Sequence, residues 1–271
     1  MSQATPPTTP VSSHPIAPSN PAAGQPAGAT RPAGAGGAPS GPPVQRQFVN
    51  FIYFKLDPTF RRLSAAEKQA ARDEFVAIFE NPSNKGLICL TYSTVGLKAD
   101  ADIMLWRIGG STDDFQAQQS LINKSKLGAY LSTTHSLLCM TKRSMYIDKL
   151  DPFHTVESRT HIIPGKRKYI FVYPFVKSRE WYLLPMDVRQ KVMDEHIRVG
   201  NEFPSVKLNT TYSFGLDDQD FVVAFETEEP KDFLDLVMKL RETEGSKYTV
   251  RDTPIFTCVQ MPIGQVLEQL F

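Results

Sequence analysis

The sequence has no uninterrupted apolar run long enough to cross a bilayer, so no membrane span is expected. It has no basic leader followed by an apolar stretch, so no secretory signal is expected either. Charge of one sign is missing: 30 Lys and Arg against 29 Asp and Glu leave a formal net charge of +1. A nucleic-acid binder needs a basic surface to neutralise phosphates, so that class is set aside. Cysteine is scarce. Cys89, Cys139 and Cys258 are odd in number, far apart, and each lies in an apolar strand-like run. They have no zinc spacing, and buried free thiols in a reducing cytoplasm are the expectation. The chain also has no glycine-rich phosphate loop, no serine nucleophile elbow and no Cys/His pair, which removes kinase, dinucleotide-binding and hydrolase readings.

Aromatic residues are missing from positions 1–46, where Pro, Ala, Gly, Ser and Thr dominate and Arg31 and Arg46 carry the only side-chain charges apart from His14. Such a segment buries too little apolar surface to offset its ordering entropy, and a disordered tail is expected, with His14 discounted as a ligand. Roughly 225 residues follow, enough for one large domain or two small ones sharing an interface.

From Gln47 the pattern turns regular. Residues 48–54 read as a strand. Ser64 and Glu67 form a capping box for a helix running to about Phe79, with Ala71, Phe75, Ile78 and Phe79 on one stripe and Asn81-Pro82 as its stop. Residues 86–96 and 101–110 read as two strands. Ser111 or Thr112 caps a second helix, with Asp113 and Asp114 in its first turn, extending to about Tyr130. Residues 135–144 read as a fourth strand.

The second half repeats the first. Tyr53 and Tyr92 have counterparts at Tyr173 and Tyr212, both shifted by 120 residues, with a drift of one or two along the chain. Each half has the order β-α-β-β-α-β of a ferredoxin-like unit. The fold class is therefore α+β, two ferredoxin-like repeats forming a dimeric α+β barrel within one chain, behind a disordered N-terminal tail. The expected divisions are a tail over 1–46, a first repeat without cofactor over 47–150, a linker over 151–167, and a second repeat over 168–271 that carries the site. In the shift of 120, His196 falls opposite Val76 and Trp181 opposite Arg61, so chemistry is expected in one copy only.

The stretch from Lys168 to Gly200 concentrates that chemistry. A strand carries Tyr173, with Phe171 and Phe175 on the same side. A turn carries Lys177 and Trp181, and Pro185 opens a helix carrying His196. Val188, Val192 and Val199 lie at helical spacing to His196, so the imidazole faces inward. A hydrogen-bonded core histidine is the plain reading, and a lone axial ligand to a haem iron is the chemical one. No second histidine lies at metal-cage spacing, and His135, His154 and His161 are scattered. For Tyr173, packing competes with passing an electron and a proton to an oxidised centre. Arg159, Lys168 and Lys177 are cations near the strand, suited to carboxylates or to water. Trp181 is a packing anchor or a wall for a flat ligand.

Taken together, YPFVKSREWYLLPMDVRQKVMDEHIRVG, TYSFGLDDQDFVVAFET and the later LRETEGSKY resemble the chlorite dismutase-like superfamily of haem proteins, and within it the coproheme decarboxylase branch. The resemblance covers about residues 47–262. It implies that His196 binds haem iron, that Tyr173 is the radical-forming tyrosine, and that Lys177 lies near a reacting propionate. It further implies that Arg159 and Ser246 hold propionates and that Trp181 lies beside the haem. Where relatives place a distal arginine or glutamine, this chain has Leu208, which donates no hydrogen bond. That weakens chlorite chemistry more than decarboxylation. The resemblance implies iron coproporphyrin III as substrate, hydrogen peroxide as oxidant and haem b as product. It also implies a cytoplasmic homopentamer in transient contact with the ferrochelatase that supplies coproheme. Competing expectations are a chlorite dismutase-like or peroxidase-like haem enzyme, a non-catalytic haem-binding protein, and a structural module in which His196 is merely buried.

Overall fold

The computed structural model describes residues 45–80, 86–146 and 161–271. All but the last two positions of the expected tail, the expected Asn81-Pro82 stop, and most of the expected linker, Arg159 and His154 included, lie outside the described residues.

The first half runs β1 (Phe48–Leu56), α1 (Ala65–Glu80), β2 (Ile88–Ser93), β3 (Ile103–Gly109), α2 (Thr112–Lys124) and β4 (Leu131–Met140). The second runs β5 (Tyr169–Lys177), α3 (Arg179–Leu183), α4 (Met186–Asn201), β6 (Lys207–Tyr212), β7 (Phe221–Thr227), α5 (Pro230–Glu242), β8 (Thr249–Arg251), β9 (Phe256–Gln260) and α6 (Ile263–Glu268). The strand order is β4-β1-β3-β2 in one half and β6-β7-β5-β9 in the other, so each half places its first strand between its third and its last. Met140 pairs with Tyr212 on one seam, and Tyr92 and Ser93 pair with Gln260 and Val259 on the other. Eight antiparallel strands thereby close into the expected barrel, with β8 added beside β5.

Local chemistry sets the element ends. The Ser64 N–H donates to the Glu67 carboxylate at 2.9 Å and the Glu67 N–H to the Ser64 hydroxyl at 3.3 Å, the reciprocal pair of a capping box. Ser111 caps α2 by accepting the Asp113 N–H at 3.0 Å. This helix stops at Lys124 rather than near Tyr130. The Ser125 hydroxyl and N–H both turn back to the Ile122 carbonyl, at 2.7 and 3.1 Å, and Gly128–Tyr130 forms a separate 3-10 turn. β4 accordingly starts at Leu131, before the expected residue 135.

Alternation along each strand divides the molecule into layers. Tyr53, Tyr92, Met104, Trp106, Val172, Ala224 and Phe256 fill the barrel interior. On the outside of the first half, Ile52, Phe54 and Leu105 of the sheet pack with Phe75 of α1 and with Ile263, Val266 and Leu267 of α6. On the outside of the second half, Phe171, Tyr173 and Phe225 pack under Phe233 and Leu236 of α5.

Element lengths give the true register of the duplication. A shift of 121 residues carries β1 onto β5, Pro58–Arg62 onto α3, and α1 onto α4; the shift is 119 for β2 and β6 and 118 for β3 and β7. Tyr53 is therefore not the structural counterpart of Tyr173. Tyr53 points into the barrel and Tyr173 out of it, because a slip of one residue reverses the face of a strand. Tyr92 and Tyr212 differ in the same way: Tyr92 lies in the interior, whereas the Tyr212 ring packs on Phe214 and Phe221 outside.

Candidate functional site

β5, α3 and α4 position the candidate residues around the outer face of the second half-barrel. Period two puts Phe171, Tyr173, Phe175 and Lys177 on that face, where Phe225 stacks on Tyr173 with centroids 5.9 Å apart. Ser178 caps α3 by accepting the Trp181 N–H at 3.4 Å, which seats the indole on a short helix rather than in a turn. Trp181 is buried, with the Tyr248 ring centroid at 5.3 Å. Pro185 opens α4 as expected. Val192 and Val199 are buried, but Val188, in the first turn, is exposed and leaves the expected core stripe.

Lys177 is the most telling side chain. Its ammonium donates to the Gly245 carbonyl at 3.0 Å and lies 4.5 Å from the Trp181 ring centroid. Among the described residues it meets no carboxylate within ion-pair distance. Burial pushes it down to about 8 from the ordinary lysine value of 10.5. Burial, reinforced by the Lys177 charge, pushes the His196 imidazole down to about 4. His196 is thus neutral at physiological pH, and its ring has no hydrogen-bond partner among the described residues. A neutral, unpartnered imidazole can give one axial bond to a porphyrin iron. No cluster of three metal-ligating side chains exists among the described residues.

Burial raises the Tyr173 phenol well above its ordinary range, with Asp252 adding to the rise. Its hydroxyl has no hydrogen-bond partner among the described residues. Leu208 also lies on the outer face, exposed and in register with Phe225. The Ser246 hydroxyl is 2.8 Å from the carbonyls of both Arg241 and Thr243, closing the end of α5. Glu244 is bound by Lys247 at 2.6 Å. The acid beside His196 is Glu195, whose carboxylate accepts the Glu244 N–H at 3.0 Å.

Two residues on this face escaped sequence reading. Thr210 is in register with Val223, itself in register with Tyr173; alternation from Leu208 would have found it. Gly245 supplies the carbonyl that accepts the Lys177 ammonium at 3.0 Å.

The register sets the candidate residues of the second half against an apolar set in the first. The shift of 121 places Ile52, Leu56, Phe60 and Phe75 where the second half has Tyr173, Lys177, Trp181 and His196. All four are buried in one apolar cluster, together with Ile263, Val266 and Leu267 of α6. Packing occupies these places in the first half, and α6 completes it.

The chain belongs to the chlorite dismutase family, which matches residues 68–261. A coproheme decarboxylase of Mycolicibacterium smegmatis is 30% identical over 200 residues, covering 73% of this chain and 84% of the relative. A chlorite dismutase of Ideonella dechloratans is 32% identical over 229 residues, covering 82% and 79%. Among solved structures, the chlorite dismutase of Candidatus Nitrospira defluvii in complex with imidazole superposes with a TM-score of 0.74 at 26% identity, covering 82% of this chain and 94% of that one.

Proposed function

We propose that this chain catalyses the hydrogen peroxide-dependent oxidative decarboxylation of two propionates of iron coproporphyrin III, giving haem b. The observation that carries the reading is the placement of Tyr173 and the unpaired Lys177 ammonium on one sheet face, with the neutral His196 imidazole within range of the Lys177 charge. The resemblance to the M. smegmatis coproheme decarboxylase supports it.

The donor set fits an iron porphyrin. His196 would give the iron its protein ligand, Lys177 would meet a propionate, and Trp181 would wall the macrocycle. Arg159 would hold a second propionate, and Ser246 another by turning its hydroxyl away from the Arg241 and Thr243 carbonyls. The iron porphyrin, oxidised by peroxide, supplies the oxidising equivalents when bound. Burial keeps the Tyr173 phenol protonated, so its oxidation releases a proton with the electron. The resulting phenoxyl takes a hydrogen atom from the β-carbon of the propionate held by Lys177. Loss of carbon dioxide and of one further electron leaves a vinyl group, and each round reduces one peroxide to two waters. Lys177 contributes by holding the reacting C–H near the phenol oxygen. In this reading residues 47–150 form the repeat without cofactor and 168–271 the haem-binding one. The enzyme would be a cytoplasmic homopentamer that receives its substrate from a ferrochelatase.

The I. dechloratans relative favours a second reading, chlorite decomposition. Leu208 counts against it, because its side chain offers no donor on the outer face. Incubation with iron coproporphyrin and peroxide, followed by mass analysis, separates the readings. Two successive losses of a carboxyl group are expected. Unchanged porphyrin, with oxygen evolved from chlorite instead, would overturn the proposal.

A further inference from the structure

We propose that Asp220 is the positioning residue for Lys177: one carboxylate oxygen fastens the Lys177 backbone and the Tyr182 hydroxyl together, and so selects porphyrins with four carboxylates over those with two. The inference rests on the porphyrin-binding reading of the site and concerns what gives it selectivity.

Asp220 lies at the foot of β7. Its Oδ2 accepts the Lys177 N–H at 2.9 Å and the Tyr182 O–H at 2.7 Å. Its own carbonyl accepts the Ser213 N–H at 2.8 Å, which ties it to the turn after β6. Three elements, the end of β5, α3 and the β6–β7 turn, thus meet at one carboxylate. The edge of Phe214 closes over Tyr182, with centroids 5.6 Å apart.

The fastening falls where the ladder shifts register. Between Val176 and Lys177 the pairing of β5 with β8 shifts register, the extra residue being Val250 of β8. The end of β5 thus pairs with a bulged strand whose ladder is locally disrupted, and a contact outside that ladder helps to hold its direction. Asp220 takes the main-chain N–H, and the ammonium at the far end of the side chain reaches Gly245 across Trp181. Among the described residues Asp220 has no cationic partner within ion-pair distance, so its work is geometric. Lys177 lies four residues from Tyr173 on the same face, about 13 Å along the strand. A turn of the backbone at Lys177 therefore changes where a carboxylate is held relative to the phenol.

The test uses metal-free coproporphyrin III, with four carboxylates, and metal-free protoporphyrin IX, with two. Both bind without an iron–imidazole bond, so their dissociation constants, read by fluorescence quenching, isolate the carboxylate contacts. The wild-type chain is expected to prefer coproporphyrin by about tenfold or more. Asp220→Ala is expected to lose most of that preference while binding protoporphyrin within about twofold of wild type. Asp220→Asn keeps an acceptor oxygen and is expected to restore it. If Asp220→Ala fails to fold, Tyr182→Phe reads the same ratio with the Lys177 bond intact, and a fall of about threefold is expected. Equal weakening of both porphyrins, or an unchanged ratio, would overturn the role of Asp220. No preference in the wild-type chain would overturn the functional reading and this inference together; a preference kept in Asp220→Ala overturns this inference alone.

Discussion

The Lys177 ammonium stands 4.5 Å from the centroid of Trp181, and its nearest hydrogen-bond partner is the neutral carbonyl of Gly245. A half-buried cation held by an aromatic face and a carbonyl has lost water without gaining an anion. In the proposed reading such a group meets a carboxylate that arrives with the substrate.

The pH dependence of binding follows from its sign. Lys177 is pushed down to about 8, so it is charged below that pH and loses its charge above it. Affinity for iron coproporphyrin is expected to fall as pH rises above about 8. Lys177→Arg keeps its charge and should flatten the profile, whereas Lys177→Met should weaken binding by about tenfold at pH 7 and remove the step. Titration calorimetry between pH 6 and about 10 checks this. For the free chain the cost of the charged lysine is present below about 8 and is relieved as pH rises toward the ordinary value.

The interior thiols give a stability test. Burial pushes Cys139 up to about 12 and raises Cys258 as well. Below about 8.5 both folded and unfolded chains keep these protons; above it only the unfolded chain releases them. Unfolding free energy is expected to fall with rising pH above about 8.5, by about 1.4 kcal/mol per pH unit for each thiol. Urea melts of wild type and Cys139→Ala should differ by one such share.

Filling of the first half by α6 is tested at Leu267, which is fully buried against α1 and the outer sheet face. Leu267→Ala is expected to cost about 2–5 kcal/mol of stability, with porphyrin affinity unchanged. Loss of porphyrin binding in a folded variant would show that the two halves do not divide packing from chemistry in this way.

Much of this was legible in the sequence because the signals are local. Ser64 and Glu67 announce a helix start, and alternation in residues 169–177 gives both the strand and the face shared by Tyr173 and Lys177. The duplication was visible too, but similarity of residue type set it one residue out. Matching Tyr53 to Tyr173 pairs an interior ring with an exterior one, and the packing alone shows Ile52 to be the counterpart. With the frame corrected, His196 corresponds to Phe75 and Trp181 to Phe60, not to Val76 and Arg61. The Asp220 contact joins residues 43 apart in the chain, and no periodicity carries such information. Ser125 ended α2 through a single side-chain bond that a serine within a helix could equally have left unmade.

The proposed pairing of an iron-binding imidazole with an oxidisable phenol is tested most directly at Tyr173. Tyr173→Phe keeps the ring against Phe225 and removes only the hydroxyl. The variant is expected to bind iron coproporphyrin with wild-type affinity and to lose peroxide-driven decarboxylation by at least about a hundredfold. Full conversion to haem b by Tyr173→Phe would contradict the proposed chemistry outright.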